Sequence, residues 1–416
     1  MTTSPPVPTT LATDDDDAPP VAAPISRPQR SLAPDLARGM LLLFIAVANV
    51  WGYLYGRDTG IGYRPVDGGA ADQVVAGLVA FLVAARSRPR FAILYGFGIA
   101  MMMARMAARG VDDGGIRRVL RRRSLMLIGL GVLHAGLLFS GDILAPYGVT
   151  GLIALVIVHR RRAVLLRWFW VSLVLSTAAL VATEVLAAEV DADTAEQTTT
   201  YLGTMVDGLI SSGVAIIGSA VFLLFVPPVV IGVLLHRAGW LQWPWDHRAA
   251  LGRVFVWTAV ANVVVNLPWA LAVARVWEPS DGMVLVLGIG HELSGLAMGL
   301  GYICLFGWVA AVLRDRRRGL LLTGITAVGE RSLTCYLLQS VAFAPLLSVW
   351  GLGWGARLGT AAATVLAVGV WSATVALALW MHRNGRRGPM EVLLRRVAYR
   401  GAAPSSPTPA PGVAHG

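Results

Sequence analysis

The sequence predicts an all-α fold, a polytopic integral membrane helical bundle. Hydrophobic residues make up 56% of the chain against 14% charged, and the mean hydropathy is +0.64, too apolar for a domain with a water-facing skin. Apolar runs about as long as a bilayer is thick also follow one another, with no polar stretch between them long enough to fold alone. The 416 residues therefore divide into an arm over 1–30, a transmembrane domain over 31–400 and a tail over 401–416. The arm, with PVPTT, DDDDAPP and PISRPQR, and the tail GAAPSSPTPAPGVAHG bury too little apolar surface to order themselves. No cleavable signal pattern precedes the first apolar run, so the arm reads as cytoplasmic.

The net charge of +11 is carried by arginine clusters between apolar runs, with no lysine anywhere. That arrangement follows the positive-inside rule; it points to anionic lipid headgroups as partners and away from nucleic acid. Cys304 and Cys335 both fall in apolar runs, where they read as small buried hydrophobes; they provide neither a disulfide framework nor a metal site.

About ten crossings follow if some 20 apolar residues span the bilayer. The first covers 37–55. The short apolar piece 74–85 is assigned as interfacial or re-entrant and 91–107 as the next crossing, because this keeps the RRVLRRR cluster at 117–123 inside. Crossings at 124–140 and 143–158 then form a hairpin that returns to His159-Arg160-Arg161-Arg162. A span at 164–187 exits to an acidic loop with Glu189, Asp191, Asp193 and Glu196, and one at 209–235 re-enters at His236-Arg237. Spans at 254–275, 283–312, 331–350 and 357–381 complete the set and end at Arg383, Arg386 and Arg387. Both termini are thus expected in the cytoplasm and the protein in the plasma membrane. Trp51, Trp168, Trp170, Trp240, Trp243 and Trp245 stand at span ends, as interfacial anchors do.

Ionisable groups inside spans are costly, so they face the bundle interior and mark functional paths. His134 lies ten residues into its crossing, ~15 Å deep and close to the midplane. Histidine is the usual general base near neutral pH, and Asp142 at the hairpin tip either caps the return helix or orients that base. Tyr147 is placed to offer a hydroxyl to the same outer mouth. Asp35 and Arg38 share a helix face at the start of the first span, where Arg38 suits an anionic group arriving from the cytoplasm. His291 and Glu292 sit in the outer half of the eighth crossing; adjacent helical residues diverge by about 100°, so they suit no shared metal. A polar thread, Glu330, Arg331, Ser332, Thr334, Tyr336, Gln339 and Ser340, enters the ninth crossing from inside and can line a cytoplasmic entry or bond to neighbouring helices. No phosphate-binding loop, nucleophile elbow, zinc spacing or dinucleotide fingerprint occurs.

Together these motifs resemble a family. Asp35-Leu-x-Arg38-Gly39, Tyr95-Gly-Phe-Gly98, the run from Arg122-Arg-Ser-Leu to Gly131-x-Leu-His134, Ser140-Gly-Asp-Ile-Leu144, Gly329-x-Arg-Ser-Leu-Thr-x-Tyr-Leu-Leu-Gln-Ser340 and Gly388-Pro-x-Glu391 resemble the YeiB-like membrane family known as domain of unknown function 418, over roughly residues 30–400. That family is similar in layout to transmembrane acyltransferases of the heparan glucosaminide N-acetyltransferase type, which use a cytoplasmic acyl-CoA and modify a sugar across the membrane. The loop after the first span carries Asp58, Asp67 and Asp72 and no histidine, a departure from that class. The resemblance implies an integral membrane acyltransferase with no permanently bound cofactor and acyl-CoA as donor substrate. Arg38 and the Glu330 to Gln339 thread would hold the donor, and His134 would activate the hydroxyl or amine of a small-molecule or glycan acceptor, with Asp142 and Tyr147 orienting it. A small-metabolite transporter, with His134, Asp142, His291 and Glu292 as a relay, is the alternative; a non-catalytic membrane component is the third reading. Donor, acceptor and oligomeric state are not legible.

Overall fold

The computed structural model describes residues 32–84, 87–189, 200–316 and 318–400. The expected arm and tail, and Asp191, Asp193 and Glu196 of the acidic loop, lie outside these residues. The architecture is the expected α-helical membrane bundle. Among the described residues, seven helices are long and apolar enough to cross a bilayer: α1 (Leu32–Asn49, continued by a 3-10 turn to Tyr53), α3 (Ser87–Ala107), α6 (Arg162–Glu189), α7 (Tyr201–Val221), α9 (Arg248–Val273), α10 (Asp281–Val312) and α13 (Thr360–Arg383). α4 (Asp113–Leu137), α5 (Leu144–Ile157) and α12 (Ser332–Leu347) lie where three further crossings are expected but are not among those seven helices. The strands β1 (Thr59–Gly60) and β2 (Arg64–Pro65) form one small antiparallel ribbon in the loop after α1.

Helix α1 is the hub, in contact with α3, α10, α11 (Leu320–Glu330), α12 and α13. The peripheral helices turn apolar side chains outward, among them Trp170, Val214, Val264 and Val365, as a surface solvated by lipid does. One end of the bundle gathers Arg38, Arg105, Arg314, Arg331 and Arg387 around a single opening, so it is called the basic end below. The opposite end is tied by loops: Tyr53 donates to the Leu138 carbonyl at 3.0 Å, and the Asp72 carboxylate accepts the Ala361 N–H at 2.6 Å.

Two crossings are interrupted. α2 (Ala70–Leu82) enters from the opposite end and stops inside the bundle, where α3 takes over. The last carbonyls of a half-helix have no partners of their own, and in hydrocarbon water cannot supply them. Side chains do so here: Arg90 and Tyr302 donate to the Leu82 carbonyl at 3.2 and 3.1 Å, and Asn266 donates to that of Ala80 at 3.3 Å. Arg90 is fully buried between the rings of Phe44 and Tyr302, 4.6 and 4.2 Å from their centroids. The described part of the segment expected to be interfacial or re-entrant, residues 74–84, is thus the inner half of a broken crossing that α3 continues. The single span expected over 209–235 is likewise two helices, α7 and α8 (Val226–Arg237). Pro227 and Pro228 have no N–H to return to the preceding turn, so α7 ends and they open α8, with Leu223 at φ 55 in the link.

Two further helices were not anticipated. α11 crosses α1 so closely that a Cβ on Gly39 would meet the Ile325 carbonyl oxygen at 2.0 Å, and one on Gly329 that of Asp35 at 1.9 Å. The glycines of two sequence motifs thus form one contact. α14 (Pro389–Ala398) lies at the basic end against α4 and α12.

Candidate functional site

The α4–α5 hairpin builds the most distinctive cluster in the bundle. A Cβ on Gly131 would lie 2.2 Å from the Ala145 nitrogen and 2.5 Å from Asp142 Oδ2, so only glycine lets α5 start this close to α4. That approach brings Asp142 Oδ1 to 2.8 Å from His134 Nδ1. The other carboxylate oxygen accepts the Ala145 N–H at 2.9 Å and caps α5, while the Tyr336 hydroxyl donates to Oδ1 at 3.4 Å. One carboxylate thus both contacts the imidazole and caps the start of α5. The Tyr336 ring centroid is 5.1 Å from that of His134.

The pair is sealed from the opposite end. Phe139 stacks on Tyr53 at 5.0 Å, and Phe343 packs against Tyr53 at 5.9 Å. Above them Arg64 lies 3.6 Å from the Trp51 centroid, and burial pushes its guanidinium down to about 9. His134 and Asp142 are 3% and 7% exposed, so Asp142 lies beneath a lid and not at an open outer mouth. His134 Nε2 is buried and has no hydrogen-bond partner. A carboxylate oxygen accepts from an Nδ1–H, and in the neutral ring that tautomer leaves the lone pair on Nε2. A carboxylate on Nδ1 fixes the ring's orientation, and a free Nε2 lone pair is able to accept a proton.

From the basic end a cavity of about 450 Å³ reaches toward this pair. Arg38, Arg105, Arg109, Arg123 and Arg395 contribute its positive charge, while Ile143, Tyr147 and Tyr336 line it closer to the hairpin. Tyr95 and Tyr147 stack along one wall, centroids 5.6 Å apart. A wider vestibule of about 1080 Å³ shares Arg38, Arg105, Glu330 and Arg395 with the cavity and adds Asp35, Arg314, Arg318, Arg387 and Arg396. Tyr336 is the link: it lines the cavity and also touches Asp142 and His134, which do not line it.

The remaining predicted residues separate into groups. Arg38 pairs with Asp35 at 3.4 Å, and both line the vestibule. Tyr147 lines the cavity that opens at the basic end, which corrects its assignment to the outer mouth: α5 starts at Leu144, so residue 147 already lies inside the hairpin. The polar thread divides. Glu330, Ser332 and Tyr336 line the cavity, but Gln339 donates to the Leu42 carbonyl at 3.2 Å. Arg331 is a structural pin, donating to the carbonyls of Arg386 and Ala327 and to Glu330 at 2.7–3.2 Å, where α11 breaks into α12. His291 belongs to a separate cluster: its Nδ1 is 2.5 Å from Asn266 Oδ1 and its ring stacks on Trp269. Neither it nor Glu292 lines the cavity or the vestibule. Among the described residues no group of three His, Cys, Asp or Glu could hold a metal ion.

Glu391 was missed. It docks α14 by accepting the Leu333 and Thr334 N–H groups at 2.8 and 3.1 Å, with Thr334 Oγ1 at 2.5 Å, and so caps α12 at the cavity wall. An acid two residues after Pro389 was the available signal, since both residue types favour a helix start. Arg105, Arg123 and Arg395 were visible only as inside charge, without a shared address.

Residues 235–401 match the family model described as protein of unknown function (DUF418). The chain is similar to the uncharacterized protein YeiB of Escherichia coli (strain K12), 27% identical over 402 residues, or 91% of this chain and 98% of that protein. It is also similar to the uncharacterized protein YxaH of Bacillus subtilis (strain 168), 24% identical over 362 residues, covering 79% and 83% of the two chains. No solved structure matches. The expected family resemblance thus extends along most of the transmembrane domain.

Proposed function

Taking the chain as a YeiB-like membrane protein with a DUF418 region, we propose that it is an integral membrane acyltransferase whose basic end faces the cytoplasm across the plasma membrane. The observation that carries this reading is the buried Asp142–His134 pair with its unpaired Nε2, one side chain away from a cavity with a strongly basic entrance. The vestibule arginines hold the phosphates of an acyl-CoA, for which planar guanidinium forks are suited. The apolar depth of the cavity takes the acyl-bearing arm, and movement of the Tyr336 ring joins cavity to imidazole. His134 Nε2 then takes the proton of an acceptor hydroxyl or amine as the acceptor attacks the thioester carbonyl. The new C–O or C–N bond forms, the C–S bond breaks, and the proton passes to the departing thiolate. Asp142 keeps the ring in the required tautomer and stabilises the imidazolium.

The alternative is a small-metabolite transporter, in which His291, 2.5 Å from Asn266 Oδ1, and Glu292 would act away from the cavity. The deciding experiment supplies labelled acetyl-CoA to membranes containing the protein and follows label into the acceptor fraction. Transfer is expected with the native chain and not with His134→Ala, while labelled CoA binds both. Turnover unchanged in His134→Ala removes the residue from the mechanism; gradient-driven uptake of an unmodified metabolite favours the transporter.

A further inference from the structure

Beside the vestibule, on the outer face of α9 and α10, lies a groove of about 670 Å³ whose walls include Trp245, Arg248, Gly252, Arg253, Trp257 and Trp308. It is separate from the hairpin and its cavity, sharing with the vestibule the single wall residue Trp245. Residues 248, 252 and 256, and likewise 249, 253 and 257, form two neighbouring stripes along α9 at i, i+4 spacing. Polarity along them changes in one direction. The arginines occupy the first turns, and Val256 and Trp257, 55% and 71% exposed, follow toward the apolar stretch of the helix. The rise from Arg248 to Trp257 is ~13 Å, enough to pass from the headgroup layer into hydrocarbon. The Arg248 guanidinium stands 5.8 Å from the centroid of the Trp308 ring. Asp246 is the acidic residue of the lining, so the polar part of the groove keeps a positive excess.

We infer that this groove binds one anionic phospholipid, with the phosphate between Arg248 and Arg253 and an acyl chain along Val256, Trp257 and Trp308. Charge complementarity selects the anionic headgroup over a zwitterionic one, and the indoles provide the amphipathic wall that the interface favours. The site does not depend on the acyl-transfer reading, because none of its defining side chains lines the cavity below the hairpin.

The test reconstitutes the full chain in phosphatidylcholine vesicles containing either dibrominated phosphatidylglycerol or dibrominated phosphatidylcholine, and reads tryptophan quenching. The glycerol lipid is expected to quench the groove tryptophans at a roughly tenfold lower mole fraction. R248Q/R253Q should abolish that difference, and W257F should shrink it with the arginines intact. Equal quenching by the two lipids, or a difference that survives R248Q/R253Q, overturns the assignment. Relief of quenching by millimolar inorganic phosphate overturns it too, because the site would then belong to the free anion. If the double variant does not fold, the comparison of W257F with the native chain decides alone.

Discussion

Two buried histidines in this bundle look alike on paper and differ in what the fold gives them. His134 and His291 each stand inside a membrane helix, and each has Nδ1 within hydrogen-bonding distance of a side-chain oxygen, at 2.8 and 2.5 Å. For His134 that oxygen belongs to a carboxylate, Nε2 is left over, and Tyr336 connects the pair to a cavity. For His291 it belongs to the Asn266 amide, whose N–H group in turn reaches the carbonyls at the end of α2. A carboxylate can stabilise an imidazolium, as the proposed general base would need; an amide can only fix orientation. The chemical character of an intramembrane histidine is therefore set by its partner and not by its depth.

Substitution should break this symmetry most sharply at the two rings. His134→Ala is expected to lower acyl transfer by ~10²–10⁴-fold, the usual worth of a positioned general base. His291→Ala should leave transfer within about twofold, but lower stability by about 1–3 kcal/mol as Asn266 loses its partner, read as a fall in Tm. Abolished transfer in a well-folded His291→Ala protein would end the distinction. Asp142→Asn sharpens it further by giving His134 the kind of partner His291 has; transfer should fall nearly as far as in His134→Ala while Tm changes less.

A second contrast tests how the hairpin holds the pair. A Cβ on Gly131 strikes Ala145 and Asp142, whereas one on Gly129, half a turn away, meets nothing within 4 Å. Gly131→Val should therefore cost about 1–3 kcal/mol or more in thermal unfolding, and Gly129→Val much less. Tyr336→Phe removes one long hydrogen bond, at 3.4 Å, so a loss of about 1 kcal/mol or less is expected, seen as up to ~5-fold in kcat. The smallest effect should be at the entrance. Arg38→Gln is one of many arginines there, so KM for acyl-CoA should rise roughly 3-fold with kcat unchanged. A fall in kcat alone would place Arg38 nearer the chemistry than the vestibule.

The interrupted helices show where hydropathy stops being informative. Residues 209–235 read as one apolar run, because an average over a window ignores the missing N–H groups of Pro227 and Pro228. The segment 74–85 could be excluded as a full crossing by length and flanking charge, but its entry into the bundle rests on Arg90, Asn266 and Tyr302, which arrive from three other helices. α11 was invisible for a related reason. Eleven residues are too few to span, and α11 is held by packing against α1, closest at Gly39 and Gly329, and against α13.

The all-α class, the order of crossings and the concentration of arginine at their ends were legible because they are local sums: hydropathy over a window and charge between windows need no knowledge of contacts. His134 and Asp142 could be singled out for the same reason, as costly groups in apolar surroundings. That they touch depends on the close approach at Gly131, and that Tyr336 joins them depends on a helix nearly 200 positions further along the chain. Hydrogen-bond partners, unpaired atoms and cavity walls are set by packing between distant segments, which acts at van der Waals range and is not additive along the sequence.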